Sequence, residues 1–365
     1  MRASRRPPID APPHASPATA APLRVGLIGC GFVTRHHRLP ALDGVPELRV
    51  VTLADTDPAA LAGAAAGRDV RAHADAMPVL LDPGVDVVGI CTPPDSHAEL
   101  AVAALQAGKH VLVEKPLAVT RPDAARILDA AVAGSGLATV GLVYRWHRLN
   151  RMARDLISAG RIGKVAALHT VATSDSGVAL EPAAPWRHDP AAGLLFDLGT
   201  HHVDLWRFIL AGEVVRVDAA TSAVAAALAG RMSDGTPVST TLSFVAGDNQ
   251  EVVAYGSEGT LTARGDRYDG LDLVPAGRLP GDVGIRLRRG VRLGRQLPGA
   301  VRSRRRGGDL AEAFRAQWRA FAAAIRGDEA LAVTLEDGAR ALELVLAASA
   351  SASAPADPAI PEPVA

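Results

Sequence analysis

Cysteine is almost missing from this chain: two residues, Cys30 and Cys91, occur among 365. Two thiols are too few for a disulfide framework or a four-cysteine zinc site, and a reducing, intracellular compartment is the expectation. An excess of either charge is missing too, because 39 basic side chains meet 39 acidic ones. A basic nucleic-acid binder or an acidic tail would tilt that balance. No stretch approaches the roughly 20 consecutive apolar residues of a membrane helix. Arg5-Arg6 would suit a twin-arginine export signal, but Pro7-Pro8-Ile9-Asp10-Ala11-Pro12-Pro13-His14 follows in place of an apolar segment. A cytoplasmic protein is therefore expected, with neither a membrane nor nucleic acid as partner.

What the chain does hold is apolar. Hydrophobic residues make up 48% and charged residues 21%, too apolar for disorder, and the length accommodates two domains. The Pro/Ala-rich ends, 1–22 and 352–365, are expected to be disordered extensions. In between, the pattern changes near Tyr144, giving a first domain over 23–143 and a second over 144–351. The first alternates short β-branched runs (Leu23–Ile28, Leu48–Ala54, 85–90, His110–Val113 and 138–143) with helical segments, the signature of a parallel α/β sheet. The second is expected to be α+β around a largely antiparallel open sheet. A helix near 148–159, a strand near 164–173 and a helix over 193–210 precede the period-2 run Val238, Thr240, Leu242, Phe244. Leu310, Phe314, Trp318, Phe321 and Ile325 fall at helical spacing and mark a core stripe. Thr334 and Asp337 form a capping box for the last helix.

Gly29-x-Gly31 follows the first strand directly, where glycines admit a tight turn and pyrophosphate meets the positive end of a helix. Phe32 and Val33 in the same turn are counted as cofactor contacts. The third glycine of a GxGxxG fingerprint is replaced by Thr34, which is expected to loosen helix–strand packing. Asp55 ends the second strand about 20 residues on, placed to accept ribose hydroxyls and to repel a 2′-phosphate, which favours NAD over NADP. It is also placed to be a plain turn carboxylate before Asp57-Pro58. Arg35 and Arg38 keep NADP open.

At Cys91-Thr92-Pro93-Pro94-Asp95-Ser96-His97-Ala98-Glu99, and again at Gly108-Lys109-His110-Val111-Leu112-Val113-Glu114-Lys115-Pro116, the chain resembles the glucose–fructose oxidoreductase/inositol dehydrogenase (Gfo/Idh/MocA) family. Gly193…Asp197…His201 and Glu336-Asp337-Gly338 extend the resemblance over about 23–350. It implies a Rossmann domain followed by an open-sheet α/β domain. It also implies NAD(P)-dependent hydride transfer at a carbinol or ketone of a sugar or cyclitol, in a homodimer or homotetramer. Lys115 is carried over as the group on the reacting oxygen, His201 as general acid/base and Asp197 as its orienting partner. Thr92, Pro93, His97, Glu114 and Lys115 are expected beside the cofactor. Tyr144-Arg145 and Trp186-Arg187, together with Asp197 and His201, are expected at the substrate. The family is usually richer in glycine at Ala191-Ala192-Gly193.

Independently of that resemblance, hydride transfer from an alcohol needs a base and a cationic group. Lys115 follows a strand at the edge where open α/β sheets bind ligands, and Asp197 and His201 share one helix face. A surface lysine and a helix-surface ion pair are the plainer readings of these residues. Ser96 and Glu99 form a second capping box, and Arg145 and Arg187 also suit interdomain salt bridges. Nine arginines and no acid lie between Val283 and Gly308. This stretch is expected to be a solvated loop, with phosphate or nucleic-acid recognition as alternatives. No metal is expected, because His201 and His202 point about 100° apart on a helix. A redox-neutral NAD-dependent lyase or glycosidase, or a dinucleotide-binding regulator, remain the functional alternatives.

Overall fold

A computed structural model describes residues 21–174, 193–265, 267–278 and 282–353. Six strands, β1 (Leu23–Ile28), β2 (Leu48–Ala54), β3 (Arg71–His73), β4 (Val87–Ile90), β5 (His110–Val113) and β6 (Ala138–Val140), form an all-parallel sheet. Its order is β3-β2-β1-β4-β5-β6. Helices α1 (Leu39–Leu42), α2 (Pro58–Ala65), α3 (Met77–Leu81), α4 (His97–Gln106) and α5 (Arg121–Ala133) make the successive crossovers. Their starts are signalled locally: Asp57 accepts from the Ala59 amide and Thr120 from the Asp123 amide. Strand order reverses between β1 and β4, and a ligand crevice opens at such a switch point outside the carboxyl ends of the strands.

The chain crosses through a 3₁₀ turn (Val143–Trp146) into α6 (Arg148–Ser158), β7 (Val165–Thr173) and α7 (Thr200–Leu210). It continues through β8 (Val214–Thr221), β9 (Ala225–Met232), β10 (Pro237–Ser243), β11 (Asn249–Gly256), β12 (Gly259–Arg264) and β13 (Leu271–Pro275). These strands order as β13-β12-β11-β7-β10-β9-β8. All neighbours are antiparallel except β7 and β10, which pair in parallel because α7 and the β8–β9 hairpin intervene. Val203, Leu205, Trp206 and Ile209 of α7 pack on one face of this sheet, against Leu168, Leu228, Leu242, Val252 and Leu261.

Three further helices close the chain: α8 (Val283–Arg305), α9 (Gly308–Arg326) and α10 (Leu335–Ala352). α8 corrects the expectation of a loop over 283–308. Arginine and leucine are good helix formers, and Val283, Leu287 and Val291 recur every fourth residue, a period hidden by Gly290, Gly294 and Pro298. The expected boundary at 143/144 is also simpler than the packing. Phe314, Trp318 and Phe321 of α9 join Leu27, Val87 and Leu112 in the core of the first sheet. Leu335 and Leu342 of α10 join its other face with Ile90 and Val113. Gly89 carries no side chain where Trp318 enters; a Cβ there would stand 3.4 Å from the indole and 2.6 Å from Leu27. The extensions expected to be disordered, apart from residues 21, 22, 352 and 353, lie outside the described residues.

Candidate active site

The crevice at the switch point has a volume of about 600 Å³, within the usual range of small-molecule sites. Gly29 stands at φ +91°, and a Cβ would come within 2.6 Å of the Cys91 carbonyl, so glycine is required there. Gly31 faces open space. Phe32, Val33, Asp55, Thr92, Pro93, Glu114 and Lys115 line the same crevice. Asp55 accepts from the Cys30 amide at 2.5 Å and from the Asp57 amide at 2.8 Å. Its carboxylate thus locks the glycine turn as well as bordering the crevice. A glycine-lined opening at a strand–helix turn, with an acid at the end of the next strand, fits a dinucleotide.

His97 corrects the expectation for its position. It is fully buried and absent from the crevice wall. Its ring spans two carbonyls, Pro116 O at 2.8 Å from Nδ1 and Thr92 O at 3.0 Å from Nε2. It therefore joins the turn after β4 to the cis Lys115–Pro116 turn after β5. Ser96 makes no cap hydrogen bond; its hydroxyl donates to Pro93 O at 2.8 Å and pairs with the Thr92 hydroxyl at 2.7 Å. A 3₁₀ turn over Pro94–Ser96 rotates the serine away from the helix start. Thr34 does not loosen the first crossover, because it is buried and its hydroxyl donates to Gly29 O at 2.5 Å. Arg38 is closed to a 2′-phosphate. It is fully buried, holds Glu114 Oε1 through Nε and Nη2, and donates to Gln317 Oε1 at 2.7 Å. It also lies over the rings of Phe314 and Trp318.

Two elements from the second domain reach Lys115 from behind the crevice wall, which neither Asp197 nor His201 lines. A π-helical turn, Leu195–Gly199, precedes α7 and carries Asp197, whose carboxylate pairs with Lys115 Nζ. The same ammonium donates to the Asp197 carbonyl at 3.0 Å. Such turns insert one extra residue and recur at functional sites. His201 is buried and stacks on Tyr144, with ring centroids 4.3 Å apart. Its Nδ1 has no hydrogen-bond partner among the described residues, so Asp197 does not hold that nitrogen. Burial, with the Lys115 charge second, holds the imidazole well below its usual pKa and hence neutral at pH 7. Tyr144 Oη accepts from Gln250 Nε2 at 2.6 Å. Gln250 escaped sequence reasoning because only the pairing of β11 with β7 brings it here.

Arg145 is not free for substrate. It makes two hydrogen bonds to Asp204, at 2.8 and 2.6 Å, and two to Asp337, at 2.9 and 2.8 Å, tying the crossover turn to α7 and α10. Trp186, Arg187, Ala191 and Ala192 lie outside the described residues. Among the described residues, no three His, Cys, Asp or Glu side chains group to hold a metal.

His202 faces the core, with Nδ1 2.8 Å from Thr170 Oγ1, and burial lowers its pKa to about 3. A histidine kept neutral in the fold but protonated on unfolding stabilises fully above about pH 6.5. That contribution is lost as pH falls toward about 3. The urea midpoint should therefore drop over this window in the wild type and less steeply in His202→Gln; equal slopes would refute the assignment.

Residues 23–142 match the oxidoreductase family with an NAD-binding Rossmann fold, and residues 150–262 match the GFO/IDH/MocA C-terminal domain. The chain belongs to the GFO/IDH/MocA family. Its first domain is thus an NAD-binding Rossmann fold. Inositol 2-dehydrogenase 2 of Saccharopolyspora erythraea is 32% identical over 54% of this chain and 57% of its own length. The chain thus spans little more than half of that relative. A dTDP-3,4-didehydro-2,6-dideoxy-alpha-D-glucose 3-reductase of Streptomyces violaceoruber is 32% identical over 72% of this chain and 77% of its own. Among solved structures, the WlbA dehydrogenase of Bordetella pertussis, in complex with NADH and UDP-GlcNAcA, superposes with a TM-score of 0.74. That match has 23% identity and covers 92% of this chain and 97% of the other; it shows a shared fold.

Proposed function

We propose that this member of the family is an NAD-dependent oxidoreductase that moves hydride between nicotinamide C4 and a secondary carbinol or ketone of a sugar or cyclitol. The observation that carries the reading is a cluster behind the crevice wall: the Lys115 ammonium, which lines the crevice, the Asp197 carboxylate that holds it, and the buried neutral imidazole of His201 that feels its charge. The substrate classes named for the relatives, an inositol and a deoxysugar nucleotide, agree with it.

Bound NAD supplies the hydride acceptor. Gly29, Gly31 and Asp55 would bind its phosphates and ribose at the first turn, with Thr92, Pro93 and Glu114 further along the crevice. On oxidation, Lys115 donates a hydrogen bond to the carbinol oxygen and offsets the negative charge that develops as its proton leaves. His201 accepts that proton, the C–H electron pair departs with the hydride, and a ketone remains. Asp197 fixes the ammonium, and Tyr144 fixes the imidazole plane by stacking. Burial pushes both the Cys30 and Cys91 thiols up to about 12, so neither provides a nucleophile at neutral pH. Free thiols accord with a cytoplasmic setting, and the second sheet, helix-covered on one face, accords with a homodimer or homotetramer.

The test is nicotinamide absorbance with purified protein, NAD or NADP, and a panel of inositols, free sugars and nucleotide sugars. Reduction of NAD with one substrate class is the expected result. Silence across the panel with NAD bound, while product accumulates, would replace this reading with the redox-neutral one.

A further inference from the structure

The arginine-rich helix α8 is not used by the crevice, and its two faces differ sharply. The inner face is fixed to the protein. Gly299 lies so close to Tyr268 that a Cβ would come within 2.5 Å of its hydroxyl, Ser303 Oγ donates to Asp309 Oδ1 at 2.8 Å, and Gln296 Oε1 is buried. Arg148 braces this seat by stacking over Tyr268 and pairing with Asp309. With the helix held in that rotation, its outward stripe is apolar up to Val301 and ends on the exposed Arg305, five turns after Leu287: Val283, Leu287, Val291, Leu297 and Val301 each stand half exposed or more, Leu287 at 70%. At 3.6 residues per turn, Arg295 and Arg302 fall along one margin of the stripe and Arg286 and Arg304 along the other, all exposed.

We propose that α8 docks this protein on the surface of a membrane containing anionic lipid, with the apolar stripe entering the headgroup–acyl boundary and the arginines meeting phosphate headgroups. An exposed apolar face flanked by arginines is the composition of helices that lie in a bilayer interface. The nine arginines, unaccompanied by any acid between Val283 and Gly308, match an anionic surface by charge. A second copy of the chain is a worse match, because a two-fold contact sets each arginine margin against its own equivalent. Nucleic acid is also a worse match. Over the first five turns the outermost residues are aliphatic, and a phosphate backbone would press on leucine and valine there while the arginines stand along the margins. The sequence expectation of no membrane partner rested on the lack of a spanning run. None of the described helices is long and apolar enough to cross a bilayer, but a helix lying on the surface does not need to be.

The experiment is cosedimentation of the full chain with vesicles of phosphatidylcholine alone or of phosphatidylcholine mixed with phosphatidylglycerol. Two double variants accompany it, Leu287→Asp with Val291→Asp, and Arg302→Gln with Arg304→Gln. NAD binding checks that both variants are folded, since neither pair lines the crevice. Binding to the mixed vesicles only, weakening as salt rises, is expected. The arginine pair should lower the partition coefficient about 25-fold, at about five-fold per arginine, and the aspartate pair should abolish binding. The proposal is overturned by an absence of binding or by equal binding to both vesicle types. It is overturned equally by full binding of both folded variants, by tighter binding to duplex DNA than to vesicles, or by loss of a dimer in the aspartate variant with vesicle binding unchanged.

Discussion

Replacing Lys115 with methionine is expected to lower kcat for the nicotinamide-linked reaction by about 10³- to 10⁴-fold while NAD affinity changes by less than about two-fold. Methionine keeps most of the largely buried aliphatic stem but removes the ammonium. The carbinol oxygen then loses the cation that stabilises it as its proton leaves, and the Asp197 carboxylate loses its ion-pair partner. The cofactor keeps its turn at Gly29 and Gly31, which Lys115 does not touch. Steady-state kinetics beside a fluorescence titration with NADH separates the two effects. A variant that keeps kcat within about ten-fold of wild type would remove Lys115 from the chemistry.

Arg38→Met is expected to cost the fold about 3–5 kcal/mol. The guanidinium is fully buried between Glu114 and Gln317 and lies over Phe314 and Trp318. Methionine retains apolar contact but leaves the Glu114 carboxylate buried without its cation and Gln317 Oε1 without a donor. Urea unfolding monitored by tryptophan fluorescence reads the loss directly. A change below about 1 kcal/mol would show that Glu114 finds water or another donor when the arginine is gone.

Much of the nucleotide-binding half was legible in the sequence, because its signals are local. A glycine turn after a β-branched run, an acid at the end of the next strand and a regular strand–helix rhythm are each written within a short window. The capping box at Thr334 and Asp337 is of the same kind, and both of its hydrogen bonds are present. What escaped depends on contacts between distant segments. Arg145 has the residue type of a substrate clamp, but two aspartates on separate helices occupy it. His97 sits in a stretch that borders the crevice, yet its ring turns inward to bridge two loops. A 3₁₀ turn defeated the Ser96 capping box, and a π-helical turn changed the spacing of Asp197 and His201. Neither has a compositional mark. α8 was missed for another reason: its apolar period faces outward and is interrupted by glycine and proline, so it lacks the usual look of a packed helix.

The insertion of Trp318 beneath Gly89 carries a consequence for biogenesis. Chains emerge from the ribosome amino end first, so residues 23–143 appear while the indole that fills the underside of their sheet is still unsynthesised. Leu27, Val87 and Leu112 have no α9 to cover them until Gly308–Arg326 has been made. A fragment cut at the boundary that the sequence pattern draws would leave those three side chains without the cover that α9 gives them.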